Sequence, residues 1–208
     1  TLYYAALFHD ITDIKKGENL LRYQASYDPL TGLPNRQLLN DRLKTAIRHC
    51  ERENLPMCLF FCDLDDFKNV NDSLGHYFGD LLLKEVGRRL VDCCRSDDSV
   101  ARLGGDEFAI ICPFIRADEP AAAALARRIL DAFAKPFDIQ DHKLYVQISI
   151  GITRYPEDGR EIETLIKNAD VAMYRSKGKG KNQFCFYTPE LSVRILRRMS
   201  LSNDLRGA

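Results

Sequence analysis

Two apolar runs joined by a glycine pair constrain this chain more than any other stretch. Val100-Ala101-Arg102-Leu103 leads into Gly104-Gly105, then Asp106-Glu107, then Phe108-Ala109-Ile110-Ile111-Cys112. A two-residue glycine connection between strand-like runs predicts a β-hairpin, because tight primed turns need positive φ at little steric cost. Two carboxylates directly after the turn are more than a structural hairpin requires. Glycines without Cβ also let a charged ligand approach the backbone closely. Taken alone, a solvent-facing hairpin tip is the commoner case, and a second acidic cluster upstream shifts that balance.

Hydrophobic periodicity places the other elements. Leu2, Tyr4 and Ala6 alternate, so residues 1–13 read as a strand and turn. Residues 14–27 carry Ile14, Leu20, Leu21 and Tyr23 among charges and read as a helical linker. The turn formers from Asp28 to Arg36 mark a domain boundary, and Asn35 is set to cap the helix that follows. In that helix Leu39, Leu43, Ala46, Ile47 and Cys50 form one buried face. Met57 to Cys62 is a continuous apolar run ending in Asp63, as expected of a central strand. A polar loop, a helix over about 76–94 and the hairpin follow. Pro120–Phe133 reads as a helix, Leu144 to Ile152 as one alternating strand, Ile162 to Met173 as a helix, and Phe184–Phe186 as a last short strand. From Thr188 a charged helix leaves the domain. This order predicts an α/β (α+β) fold with a mixed, largely antiparallel central sheet covered by helices.

At 208 residues the chain is long enough for one domain with extensions. Lysine plus arginine and aspartate plus glutamate number 30 each, so no net charge argues for duplex nucleic acid or an anionic membrane. Phosphate binding would have to come from local clusters. No apolar run approaches the roughly 18 residues of a spanning helix, and no signal peptide is recognisable. Seven cysteines without a CxxC pair read as reduced thiols in a cytoplasmic protein, and four scattered histidines argue against zinc.

The upstream cluster, Asp63-Leu64-Asp65-Asp66-Phe67-Lys68-Asn69-Val70-Asn71-Asp72, sets acids at the end of a buried strand. They would repel one another unless solvated, paired with lysine or holding a cation. If Asp63 meets Asp106 at one edge of the sheet, two carboxylates and a backbone carbonyl would suit Mg²⁺, which takes few protein oxygens and keeps sites for phosphate. A hard metal between such acids is the usual arrangement for nucleotidyl transfer.

These residues carry a family resemblance. Arg102-Leu103-Gly104-Gly105-Asp106-Glu107-Phe108 resembles the signature of GGDEF-domain diguanylate cyclases. Supporting matches are Asp28 to Arg36, Asp63 to Asp80, Ser149-Ile150-Gly151 and Ala169 to Tyr174, so the resemblance spans about residues 27–187. It implies a fold similar to the palm of class III nucleotide cyclases. It also implies a homodimer in which each copy holds one GTP, the two being joined into cyclic di-GMP with release of pyrophosphate.

Carried over, Asp63, the Leu64 carbonyl and Asp106 would bind Mg²⁺ (or Mn²⁺). Glu107 would assist the metal or deprotonate the attacking 3′-hydroxyl, and the sequence leaves open which of Asp106 and Glu107 is the base. Asn71 and Asp80 would read guanine, with Phe67 and His76 near the nucleoside; loop and helix-cap roles are the alternative for Asn71, His76 and Asp80. Gly104 and Gly105 would lie against the nucleotide, and Lys68, Lys177 and Lys181 would meet its terminal phosphates. The family often has Arg where Lys181 stands, and lysine lacks the two-pronged phosphate contact. Arg95-Ser96-Asp97-Asp98 matches the family's RxxD inhibitory site, in which Arg95 and Asp98 would bind product; the alternative is a surface arginine and a capping aspartate. Asp28 and Arg36 read as structural, pinning the entrance to the domain.

The ends fit the same picture. Phe8 to Ile14 resembles the last strand and exit helix of a PAS sensor, and residues 188–208 resemble the linker into an EAL phosphodiesterase domain. The expected organisation is a PAS remnant (1–13), a helical linker (14–27), the GGDEF domain (28–187) and an exit helix toward an EAL domain (188–208). An active, product-inhibited cyclase is the leading reading. A GTP-binding regulatory module that activates an attached phosphodiesterase is the alternative, and a cyclic di-GMP receptor working through Arg95 and Asp98 is the third.

Overall fold

The computed structural model describes residues 25–113 and 119–191. The expected sensor remnant, most of the helical linker and most of the exit helix lie outside the described residues. Asn35 accepts a hydrogen bond from the Leu38 N–H at 3.0 Å and opens α1 (Arg36–Glu53), as expected. The helix stops at Asn54, a left-handed residue whose N–H returns to the Cys50 carbonyl. Next come β1 (Met57–Asp65), α2 (Phe67–Leu74), α3 (His76–Asp92), β2 (Ser99–Gly104) and β3 (Glu107–Pro113). After them lie α4 (Glu119–Phe133), β4 (Phe137–Ile139), β5 (His142–Leu144), β6 (Gln147–Tyr155), α5 (Ile162–Gly178) and β7 (Phe184–Phe186).

The main sheet has the order β2-β3-β1-β6-β7 and is antiparallel except for the β6–β7 pair. All nine residues of β1 are buried, which is why it reads as an unbroken apolar run rather than an alternating one. Alternation still divides the sheet. Cys58, Phe60, Cys62 and Leu64 face α3 and α4, while Met57, Leu59 and Phe61 face α1 and α5. Helix α5 is drawn tightly onto the sheet at Gly151, where a β-carbon would lie 1.9 Å from the Ala169 carbonyl oxygen. That close approach sets where the C-terminal turn of α5, with Lys177, reaches the end of β1. None of the seven cysteines forms a disulfide.

Two elements depart from the sequence reading. The polar stretch after β1 is a helix, α2, which Gly75 separates from α3. The strand expected over 144–152 is two strands: β6 begins at Gln147, opposite Asp65 at the end of β1, and Leu144 pairs with Phe137 in a separate hairpin. The alternation of Leu144, Val146 and Ile148 continues past the point where β1 can supply a partner.

Candidate active site

The glycine hairpin forms one residue later than its sequence suggests. Gly104 is the last residue of β2 and pairs with Glu107, so the turn residues are Gly105 and Asp106. A register shift between Arg102 and Gly104 accommodates the extra residue, Leu103. Gly104 has φ 141° and Gly105 φ 53°, while a β-carbon on either would meet nothing within 4 Å. Backbone conformation, not crowding, is what demands glycine here.

The expected meeting of Asp63 with Asp106 takes a different form. Asp63 lies inside β1, a central strand, and its register partner in β3 is Glu107. Both side chains therefore leave the sheet on the α1/α5 face. Asp106 stands in the turn, and its carbonyl accepts the Leu64 N–H at 3.3 Å. Asp63 is 8 % exposed, and its Oδ1 lies 2.5 Å from Lys177 Nζ, an ion pair rather than an aligned hydrogen bond. Burial is the largest influence on the Asp63 carboxyl. It and the charges of Asp106 and Glu107 push the group up to about 6 against the pull of Lys177. Burial also raises Glu107, with Arg36 pulling the other way.

This donor set fits a hard divalent cation. Asp63 is buried with Lys177 as its counter-charge, and the two further acids Asp106 and Glu107 still hold its carboxyl up, so additional positive charge is favoured there. Among the described residues no three acid, histidine or cysteine side chains form a metal cage of their own. That is what Mg²⁺ tolerates, since it binds through one or two carboxylates and completes its shell with water and substrate phosphate.

Lys181, φ 64°, reaches both carboxylate oxygens of Asp66 at 2.7 Å. The loop carrying it is anchored by Asp65, which accepts from the Asn182 N–H at 3.0 Å and from Ser149 Oγ at 2.8 Å. Lys68 is exposed on α2, and His76 and Asp80 are exposed one turn apart at the start of α3. Phe67 and the Asn71 amide pack against the same turn of α3 at Gly79. Arg95 and Asp98 lie elsewhere, before the far end of β2, about 17 Å along the strand from the glycine turn. The Asp98 carboxylate accepts the Arg95 N–H at 2.8 Å, closing a tight turn. Asp98 also lines a cleft of about 630 Å³ with Arg42, Thr45 and His49 of α1.

Three contributions escaped the sequence reading. Arg102 donates to both Asp28 oxygens at 2.9 and 3.0 Å and to the Gly105 carbonyl at 2.7 Å, clamping the glycine turn onto the turn that precedes α1. Asp28 is thus structural, as expected, but its partner is in the hairpin. Arg36, expected to pin the domain entrance, has its guanidinium 3.5 Å from the Glu107 carboxylate, beside a cleft of about 530 Å³ between α1 and α5. Asp65 is the third. Only the density of acids after β1 hinted at it, and nothing in the spacing told its anchoring role from that of Asp63.

A family model described as diguanylate cyclase, GGDEF domain, matches residues 25–183. The bifunctional diguanylate cyclase/cyclic di-GMP phosphodiesterase MucR of Pseudomonas aeruginosa is 42% identical over 198 residues, 95% of this chain and 28% of that protein. The cyclic di-GMP phosphodiesterase PdeR of Escherichia coli is 39% identical over 199 residues, 96% of this chain and 30% of that one. The chain thus spans under a third of the length of these relatives. A form of Pseudomonas aeruginosa YfiN (TpbB) comprising only the GGDEF domain aligns with TM-score 0.79 at 34% identity, covering 82% of this chain and 99% of that one. The coiled coil and GGDEF domain of Caulobacter crescentus DgcB, solved in complex with c-di-GMP, aligns with TM-score 0.75 at 26% identity, covering 85% and 93%. The mixed sheet with flanking helices is therefore the palm-like nucleotide cyclase fold, and the chain belongs to the GGDEF family. Relatives named as cyclases and as phosphodiesterases both carry this domain, so its chemistry has to be argued from the site.

Proposed function

We propose that this chain is one half of a diguanylate cyclase. Two copies face each other, each presenting one GTP. The 3′-oxygen of each nucleotide attacks the α-phosphorus of the other, forming two phosphodiester bonds and expelling two pyrophosphates. One copy holds one substrate, so the second supplies the reaction partner at high effective concentration. The observation that carries this reading is the facing pair Asp63–Glu107, with Asp106 in the adjoining turn and Lys177 against Asp63.

Asp63, the Leu64 carbonyl and Asp106 are the groups that would hold Mg²⁺ or Mn²⁺, with Glu107 beside them. When bound, the ion supplies neutralisation of charge on the phosphate oxygens. Glu107 is the better general base. Its carboxyl is raised toward neutrality by burial and leaves the sheet beside Asp63, whereas Asp106 is committed to the turn. Lys68, Lys177 and Lys181 steady the β- and γ-phosphates, the two α5-side lysines exchanging their carboxylate partners for phosphate. Gly104 and Gly105 leave the nucleotide side of the turn bare. Asp80 accepts from N1 and N2 of guanine, hydrogens that adenine lacks in that arrangement, with Asn71, Phe67 and His76 around the same nucleoside. Arg95 and Asp98 form a product site that couples negatively to turnover. GTP as substrate makes the cytoplasm the working compartment. Residues 28–187 are the cyclase unit, between a sensor-derived lead (1–13, with linker 14–27) and a connection (188–208) to an EAL domain.

Incubation with Mg²⁺ and GTP should yield cyclic di-GMP and pyrophosphate by chromatography, and Glu107→Gln should abolish both. GTP binding without product, in a chain shown to dimerise, would defeat the cyclase reading. The name of PdeR, a phosphodiesterase alone, supports that second outcome as the alternative, a GTP-loaded module that activates an attached phosphodiesterase, whereas the bifunctional name of MucR accords with the cyclase reading.

A further inference from the structure

The junction of α2 and α3 contains an interaction that the reaction scheme above does not use. Gly79 is buried in α3, one residue before Asp80. A β-carbon on Gly79 would sit 2.0 Å from Asn71 Oδ1, 3.1 Å from Asn71 Cγ and 3.2 Å from Phe67 Cζ. The Asn71 amide therefore occupies the space that any other residue at position 79 would claim. Its Oδ1 is buried there without a hydrogen-bond partner. The oxygen lies within C–H···O range of the Gly79 backbone, a weak contact that glycine alone allows. Asn71 and Gly79 cannot drift apart, because the Gly75 N–H bonds the Asn71 carbonyl at 2.9 Å and the Gly79 N–H bonds the Gly75 carbonyl at 3.3 Å. An orphaned buried acceptor calls for an explanation beyond packing.

We propose that Gly79 is a specificity-positioning residue: its absent side chain cradles the Asn71 amide with Oδ1 turned inward, leaving Nδ2 to donate to the O6/N7 edge of the nucleotide base. This rests on the GTP reading above. A freely rotating asparagine presents either a donor or an acceptor; a pinned one presents a donor alone. Guanine offers two acceptors on that edge, whereas adenine places an amino group where guanine has O6, so a fixed donor rejects it. Asp80 reads the opposite, N1/N2, side, so the two residues divide the base between them.

The cradle can be filled without breaking the fold. The atom an alanine at 79 would strike is the end of a flexible side chain, which can swing away, and alanine is the better helix former. Binding of GTP, ITP (no N2 amino group), 7-deaza-GTP (no N7) and 6-thio-GTP (O6 replaced) is to be measured with Mg²⁺ by calorimetry. The proteins are the wild-type chain, Gly79→Ala, Asn71→Ala and the double variant, each with a urea denaturation curve. Gly79→Ala is expected to weaken GTP about tenfold, the worth of one hydrogen bond, with no loss of stability. The wild type should discriminate against 7-deaza-GTP, 6-thio-GTP or both, Gly79→Ala against neither, and both should still prefer GTP to ITP. In the Asn71→Ala background Gly79→Ala should add nothing. Gly79→Ala that binds GTP like wild type, that adds its full loss to that of Asn71→Ala, or that loses stability in step with affinity overturns the inference. A wild-type chain that binds no GTP refutes the proposed function and this inference with it. Wild-type binding beside an indifferent Gly79→Ala removes this inference alone.

Discussion

Replacing Asp63 by Asn should stabilise the fold while ending the proposed synthesis of cyclic di-GMP. Burial, together with Asp106 and Glu107, raises the Asp63 carboxyl to about 6, against 3.8 for an ordinary aspartate. Between those values the unfolded chain has already released the proton that the folded chain keeps. Stability therefore falls as pH rises through that window, and the full cost is present above pH 6. About two units at about 1.4 kcal/mol each come to about 3 kcal/mol. Asparagine keeps the shape and removes the charge. The offset is Lys177, which loses its ion pair but is 31 % exposed and can turn to water. A net gain of about 1–3 kcal/mol at neutral pH follows. Urea denaturation from about pH 4 to pH 8 measures it; with a slope of about 2 kcal/mol per molar, the neutral midpoint should rise by about 1 M. The wild-type midpoint should fall between pH 4 and 6 more steeply than that of Asp63→Asn. Glu107 is also raised by burial but is present in both proteins, so the difference between the curves isolates Asp63. A variant less stable than wild type at neutral pH, or two curves of equal slope, would refute the reasoning.

Other positions give equally definite outcomes. Asp28→Ala removes the acceptor of Thr31 and the counter-charge of Arg102, leaving a guanidinium only 10 % exposed with the Gly105 carbonyl alone. It should cost about 3–5 kcal/mol, and a loss under about 1 kcal/mol by denaturation would contradict the clamp. Gly104→Ala, at φ 141°, should destabilise more than Gly105→Ala, whose φ of 53° costs an ordinary residue about 1–2 kcal/mol; equal losses would count against the turn geometry. Lys181→Arg should lower the KM for GTP a few-fold, because a planar fork can hold phosphate at two points; an unchanged or higher KM would exclude that phosphate contact.

Much of the fold can be read in the sequence where burial and period agree. The face of α1, the buried run of β1 and the hairpin around Gly104 all express local patterns that the tertiary structure leaves intact. Where the pattern outlasts its partner, reading fails: Leu144 and Val146 alternate in step with Ile148, but β1 ends at Asp65 and cannot pair them. Helix α2 is hidden by its length: Phe67, Val70 and Leu74 fall at helical steps, but eight residues with five polar ones among them are too short for period alone to separate a helix from a loop. At the site, residue types and order point to the acids, but register decides their partners. Asp63 faces Glu107 because β1 and β3 pair in that phase, and the turn forms at Gly105-Asp106 because Leu103 is bulged. The contacts of Arg102 with Asp28 and of Arg36 with Glu107 join segments more than 70 residues apart, and no local signal carries them.

If one chain holds half of a reaction centre, turnover depends on pairing. Cyclic di-GMP formed per chain from Mg²⁺ and GTP, followed as the protein is diluted over about a thousandfold range, measures it most directly. Activity per chain should be level at high concentration and fall toward zero on dilution, in parallel with the dimer fraction. Activity per chain that stays constant while the protein becomes monomeric would contradict that dependence.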